Sequence, residues 1–399
     1  MTPADFFGPD NDWSTTTVVE WLFGPGHLER DAMKFVAGLA HALDQAGAPI
    51  DRIVITSRTL HPQWAGWNVR WSRRDGASRA SVEHGTASTD AYIGSPIQHV
   101  VEQRRSFRLR VTPDFVEGEH SLVRDLRMGG IVDYVACPMF YANGWVGVLT
   151  LSTTRGHGFT DADLARFEAL ARVLTPFMEI ISIRRGVLGI LDTFVGPRIA
   201  ERIYTGQVKR GDGDRIDAAF WYSDLRGFTQ LSETLPTADL LHLLNDYFEF
   251  CAAAAASRGG EILQFIGDAI LIVFEVGADG DRAAVCEAAL DAAVDAFDSI
   301  AVVNHRRHRA GQAEIRFGLG LHVGTVTHAN VGAPDRLAFN VVGPAVNMTA
   351  RIQGMTKEIG VPLLVSGEFA GLVRRPLKSV GRHDLRGVAR EQELFTPVE

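Results

Sequence analysis

The 399-residue chain is 46% hydrophobic and 22% charged, with a formal net charge of −8, a balance that suits two globular domains and a linker rather than a single core. It offers no overall basic field for DNA or RNA, its three cysteines lack CxxC spacing, and no run approaches the roughly 18 apolar residues of a membrane span. Nucleic acid, a zinc ribbon, a disulfide framework and a membrane are therefore not expected.

Residues 1–25 read as an N-terminal segment, and MTPADFFGPDNDW lacks the basic-then-apolar order of a signal peptide, so a soluble, cytoplasmic protein is expected. Residues 26–46 place apolar side chains at helical spacing, and IDRIVITSRTLHP then has strand character ended by proline. GWNVRW, SFRLRV, VDYVACPMFY and GWVGVLTLST read as further strands, with Asn143-Gly144 turning between the last two. About five such strands imply an antiparallel sheet. In GFTDADLARFEALARVL, Thr160 is the expected N-cap of a helix that runs on towards a second helical stretch. The first domain is assigned to 26–185 and a helical linker to 186–213.

The remaining residues, 214–399, alternate as an α+β domain. Ala218 to Tyr222 is a buried-type strand, Gly227 breaks it, and Thr229 is placed to cap the next helix. A helix over Thr237 to Arg258 follows, then a hairpin whose arms, Ile262 to Ile266 and Ala269 to Phe274, flank Gly267-Asp268. Next come a helix from Asp279 to Arg309, a strand from Glu314 to Val323, another near Arg336 to Val342, a helix from Val346 to Thr356 and terminal strands. The run His305, Arg306, Arg307, His308 and Arg309 reads as a helix end with a solvated face.

Asp224, between a strand and a helix start, and Asp268, at a hairpin tip, are the residues with chemistry to offer. One aspartate at a strand end is ordinarily a cap or turn residue. Two carboxylates on neighbouring strands can instead hold a pair of Mg²⁺ ions, which take hard oxygen ligands and assist phosphoryl displacement. A helix start beside them attracts phosphate. His322 and His328 flank a glycine turn and are assigned no site.

The motifs SDLRGFT, GGEILQFIGDAILIVF, LGLHVGTVTHANVG and FNVVGPAVNMTARI, in this order, resemble those of the class III nucleotidyl cyclases over roughly residues 190–395. The resemblance implies a ferredoxin-like catalytic fold acting as a homodimer, with active sites at the subunit interface and two Mg²⁺ or Mn²⁺ ions per site. It implies that Asp224 and Asp268 bind metal, and that Asn347 and Arg351 act on the nucleotide from the other subunit. These two are i and i+4 on a helix and share one face, so a guanidinium could stabilise charge on the α-phosphate while the amide orients the ribose. Backbone amides around Gly227, Phe228 and Thr229 would cradle phosphates. Arg386 matches a position binding the terminal phosphates, and Arg336 is given a similar part. Gln264 and Asn340 match the two base-contacting positions but depart from the common Lys and Asp/Thr. A Gln and Asn pair can present donor or acceptor to either purine, so ATP is expected from the family and GTP stays open.

GIVDYVACPMFYANGWVGVLTLSTTRGHGFTDADLARFEALARVL is similar to a GAF sensor domain, which implies a small-molecule ligand. Trp64, Trp67 and Trp71 are candidates to line its pocket, although tryptophans are more often core. The expectation is a two-domain α+β chain: a GAF-like sheet with flanking helices, then a cyclase domain making 3′,5′-cyclic AMP and pyrophosphate from ATP under N-terminal control. The alternatives are a guanylate or dual-specificity cyclase and a non-catalytic nucleotide-binding signalling scaffold.

Overall fold

The structure, a computed structural model, describes residues 13–114, 118–211, 213–277 and 280–398. Residues 1–12 of the expected N-terminal segment and Asp279, the expected start of a helix, lie outside them. The chain divides into two compact units, Met1–Thr193 and Phe194–Glu399.

The first unit opens with helices α1 (Thr16–Phe23) and α2 (Ala32–Gln45), the latter capped by the Asp31 carboxylate, which accepts from the Met33 and Lys34 N–H groups. Residues 16–23 are therefore no separate segment: Val18 and Leu22 are buried in the unit's main core. Six strands, β1 (Arg52–Arg58), β2 (Trp64–Ser72), β3 (Gly76–Glu83), β4 (Phe107–Arg110), β5 (Asp133–Phe140) and β6 (Val146–Thr153), pair in the order β3-β2-β1-β6-β5-β4. All their pairings are antiparallel. Helices α3 (Pro96–Gln103) and α4 (Ser121–Met128) lie between strands in sequence, and α5 (Asp161–Val195) follows the sheet. Thr160 caps α5 as expected, accepting from the Asp163 N–H at 3.2 Å while its own N–H donates to the Asp163 carboxylate at 2.9 Å.

Alternation sorts the sheet's two faces. Ile53, Ile55, Trp67, Val69, Leu149 and Leu151 pack with α1, α2 and α5, whereas Val100, Leu126, Tyr134, Ala136 and Val148 form a smaller core with α3 and α4. Trp67 and Trp71 fall on the first face because Trp71 pairs with Ile53 and Val69 with Ile55. Both belong to packing, Trp67 buried and Trp71 against the same cluster, so neither lines a ligand pocket. Along α5, Ile180, Ile183, Val187 and Phe194 are exposed, with Ile180, Val187 and Phe194 seven residues apart.

In the second unit α6 (Pro197–Tyr204) precedes β7 (Gly213–Leu225), α7 (Phe228–Thr234), α8 (Thr237–Ser257), β8 (Glu261–Ile266), β9 (Ala269–Glu275), α9 (Arg282–Arg309) and β10 (Phe317–Ala333). Then come β11 (Arg336–Val342), α10 (Pro344–Ile359), β12 (Leu363–Ser366), α11 (Gly367–Ala370), β13 (Leu377–His383) and β14 (Gln392–Pro397). The sheet runs β13-β14-β12-β10-β7-β9-β8, with β11 paired to β10. Its four strands β10-β7-β9-β8, linked through α8 and α9, are the ferredoxin-like β-α-β-β-α-β arrangement. Trp221, Tyr247, Leu290 and Leu319 bury one face beneath α8 and α9.

Several boundaries differ from the sequence reading. β10 runs ten residues past Val323 because Gly324 is a contact and not a break: a Cβ there would sit 2.9 Å from the Ala345 Cβ of α10. Thr229 does not cap α7, whose N-cap is Gly227 at φ 75° with no side-chain cap bond. Arg307 leaves the solvated face, being 5% exposed, bonded through Nε to the Ala313 carbonyl at 2.7 Å and ion-paired with Asp246 of α8. Burial pushes both His322 and His328 down to about 4, so they are neutral at pH 7. His322 lies 2.8 Å from Ser366 Oγ, and the His328 ring meets Phe339 edge-on. All three cysteines are buried.

Glycine also sets how close α10 comes to the sheet. A Cβ on Gly320 would lie 2.6 Å from the Gln353 nitrogen and 2.7 Å from the Thr349 oxygen, both helix backbone. Gly320→Ala should therefore lower unfolding stability by about 3 kcal/mol or more, since backbone cannot rotate aside. Urea unfolding checks this, and a change below about 0.5 kcal/mol would show that α10 can lift without cost.

Candidate active site

Asp224 sits near the end of β7, where its backbone pairs with Ala269 of β9 on one side and Gly318 of β10 on the other. Ladders on both sides fix its position. The hairpin between β8 and β9 turns through Gly267, at φ 66°, and Asp268, and it closes on the pair Ile266 and Ala269. Asp268 thus stands next to the residue facing Asp224, and its carboxyl group lies close enough to act on the Asp224 carboxyl. Burial first, then the neighbouring Asp268 carboxyl, push the Asp224 carboxyl up to about 7. Its Oδ1 is buried without a hydrogen-bond partner. On the core side, Trp221 Nε1 donates to Ser223 Oγ at 2.8 Å, and Ser223 meets the Tyr247 hydroxyl at 2.8 Å, which stiffens this end of β7.

An orphaned carboxylate oxygen beside a second carboxylate is an oxygen-donor set wanting a hard cation. No group of three or more His, Cys, Asp or Glu side chains able to hold a metal occurs among the described residues. A pair is what Mg²⁺ ordinarily takes from protein when substrate phosphates and water complete its shell. The residues fit divalent metal.

The first-turn N–H groups of α7, including those of Phe228 and Thr229, follow directly on this strand end and have no intrahelical acceptors. Arg226, which the sequence reading passed over, anchors the loop. Its Nη2 donates to the Thr356 and Val361 carbonyls at 3.1 and 3.0 Å, and its N–H to the Arg316 carbonyl at 2.7 Å. An arginine two residues past the first aspartate in SDLRGFT was the available signal.

The other candidates lie elsewhere in the unit. Gln264 is exposed on β8 opposite Leu271, whereas Asn340 is half-buried on β11 opposite Ala329. Asn340 Oδ1 accepts the Val341 N–H at 2.8 Å. On α10, Asn347 is exposed and Arg351 half-buried. The Arg351 guanidinium lies against Gly387, where a Cβ would be 3.4 Å from Nη2, and so beside the exposed Arg386. Arg336 opens β11 and is exposed. Within one chain, among the described residues, no ion pair joins Arg351, Arg386 or Arg336 to either aspartate. Asp224 and Asp268 are brought together, as are Arg351 and the turn carrying Arg386.

A family profile for the adenylate and guanylate cyclase catalytic domain matches residues 214–387, and one for the GAF domain matches residues 36–175. An adenylate cyclase of Anabaena cylindrica is 34% identical over 149 residues, which are 36% of this chain and 28% of that protein. Adenylate cyclase 1 of Rhizobium meliloti is 29% identical over 157 residues, 38% of this chain and 23% of that protein. The match thus spans less than a third of either relative. The crystal structure of the guanylyl cyclase Cya2 is 29% identical with a TM-score of 0.41, covering 46% of this chain and 92% of that one. With both profiles matched in this order and the ferredoxin-like sheet carrying the two aspartates, the chain carries a GAF domain followed by an adenylate and guanylate cyclase catalytic domain, the catalytic domain of the class III nucleotidyl cyclases.

Proposed function

We propose that this chain is an adenylate cyclase, a phosphorus-oxygen lyase that converts ATP to 3′,5′-cyclic AMP and pyrophosphate at sites shared between two copies. The observation that carries this reading is the pairing of Asp224 with Asp268 on neighbouring strands, with one buried Asp224 oxygen left unsatisfied. When bound by this pair, two Mg²⁺ or Mn²⁺ ions would supply triphosphate neutralisation and a more acidic ribose 3′ hydroxyl. Asn347 orients the ribose, and Arg351 takes up charge on the α-phosphate as the 3′ oxygen attacks and the bond to the leaving pyrophosphate breaks. Arg386, Arg336 and the turn amides of Gly227, Phe228 and Thr229 hold the terminal phosphates.

Pairing of two copies is proposed because the resemblance places the site at a subunit interface, and within one chain no ion pair among the described residues joins Arg351, Arg386 or Arg336 to either aspartate. Each chain contains both halves, so an isologous two-fold pairing assembles two sites. The exposed stripe of Ile180, Ile183, Val187 and Phe194 on α5 favours pairing with the same helix of a second copy, β-branched residues at seven-residue spacing being suited to a two-stranded seam. A ligand of the GAF domain would then bias how the catalytic halves meet. A cytoplasmic location is proposed from the nucleotide substrate; among the described residues no helix is long and apolar enough to cross a membrane.

Gln264 and Asn340 are assigned to the purine. A second reading has its own observation: with Oδ1 taken by the Val341 N–H, the Asn340 amide offers N–H donors, which suit the guanine carbonyl better than the adenine amine. Separate reactions with ATP and GTP, in Mg²⁺ or Mn²⁺, decide by chromatography of the products. Excess cyclic AMP is the expected result. Dominant cyclic GMP would replace it with the guanylate reading, and no product with either nucleotide would leave a required activator or a non-catalytic nucleotide-binding scaffold.

A further inference from the structure

The first unit holds a cavity of about 710 Å³ where the start of β1, the end of β2 and the end of α4 meet. Four arginines line it, Arg52, Arg70, Arg73 and Arg74. Two of them are balanced. Arg73 pairs with Asp44 at 2.7 Å and Asp51 at 3.3 Å, and Arg74 faces its neighbour Asp75 at 3.8 Å.

Arg52 and Arg70 are not balanced. Neither has an ion-pair partner among the described residues, and Arg52 Nε is buried with no hydrogen-bond acceptor. Both lie on one face of the sheet, because Arg52 pairs with Ser72 and Arg70 with Val54, two residues along each strand. This is the face opposite Trp67 and Trp71. Burial, and then the Arg70 charge, lower the Arg52 pKa, with Tyr134 and Asp125 opposing; a guanidinium nonetheless keeps its proton. Two positive forks therefore share one wall with only the exposed Asp125 carboxylate against them, a surplus of positive charge that an anion relieves.

We propose that the first unit binds a small phosphorylated molecule here, its phosphoryl group held between the Arg52 and Arg70 guanidiniums. A dianionic tetrahedral group offers an oxygen edge to each fork, which a monoanionic carboxylate cannot do for both at full charge. The cavity is far larger than one ion and matches the size of metabolite pockets, so the phosphoryl group is the anchor of a larger body. The exposed Asp125 on the same wall is placed to accept from a hydroxyl or amine of that body.

The test is calorimetric titration of the full chain with inorganic phosphate, pyrophosphate and succinate, at low ionic strength and with chelator present so that the catalytic aspartates carry no metal. Phosphate and pyrophosphate should bind. Arg70→Gln, an exposed substitution that keeps the fold, should weaken both by about tenfold or more, and Arg70→Glu should abolish binding. Arg79→Gln is the control, since Arg79 pairs with Val69 and so lies on the other face. Equal affinities for the parent chain and Arg70→Gln would overturn the site. Succinate binding in place of phosphate would overturn the phosphoryl assignment. The readout is binding in the absence of metal, so failure here is distinct from failure of the cyclase reading.

Discussion

Replacing Asp224 by asparagine should cut cyclic nucleotide formation by on the order of 10³-fold while leaving the metal-free protein more stable at pH 8, not less. The rate loss follows from removing one of two oxygen ligands for ions whose charge stabilisation is worth several kcal/mol. The stability gain has its own cause. The Asp224 carboxyl is raised to about 7 against an ordinary 3.8, so the folded state holds a proton that the unfolded chain has already lost. Stability from this group is full below about pH 4 and is lost as pH rises through 7, where the Asp224 carboxylate becomes charged in its buried place beside Asp268. Asparagine has no charge to bury, so its melting temperature should match the parent near pH 4 and exceed it at pH 8. Mg²⁺ should raise the parent's melting temperature and leave Asp224→Asn nearly unmoved. Product formation at the parent rate, or equal Mg²⁺ stabilisation of both proteins, would remove Asp224 from the metal site.

Mixing two dead variants should restore activity. Asp224→Asn and Arg351→Ala are each expected to be inactive by themselves, the second because the α-phosphate loses its guanidinium, an effect on the order of 10³-fold for arginines that act on phosphoryl transfer. Random exchange of equal amounts gives half mixed dimers. In each, one site combines the intact aspartate of one copy with the intact arginine of the other, and its twin carries both lesions. Activity should recover to roughly a quarter of the parent value. Native mass spectrometry of differently tagged copies verifies the exchange. Mixed dimers without activity would mean that Arg351 serves the aspartates of its own chain.

The carboxylate pair was legible because local and tertiary signals agree there: a glycine and an aspartate between two apolar arms leave little alternative to a hairpin tip, and β7 reads as apolar up to Asp224. The ferredoxin-like order came from the resemblance to the cyclases, while alternation gave the separate strands and helices. What escaped was written in contacts between distant residues. Gly324 looks like a strand end and is a point of close approach to Ala345. The polar GASRASVE becomes β3 because it is an edge strand, mostly exposed and bonded on one side to β2. Arg307 stands in a charge run but turns inward to Asp246, a residue 61 positions earlier. The tryptophans of β2 could be assigned to a face only once the register with Ile53 and Ile55 was known. Neither Arg52 nor Arg70 announces a site in sequence, since their meeting depends on that same register.

The three buried cysteines make the protein chemically quiet towards thiol reagents. Burial pushes Cys137 and Cys286 up to about 12 and Cys251 higher still, so none supplies appreciable thiolate at neutral pH and none is open to an alkylating or oxidising agent. Disulfide stress has no thiol handle on the folded chain. By the same token, a cysteine introduced at one exposed position, such as that of Glu168 on α5, would be the sole reactive thiol, and a single spectroscopic label there would report on this helix without background from the native thiols.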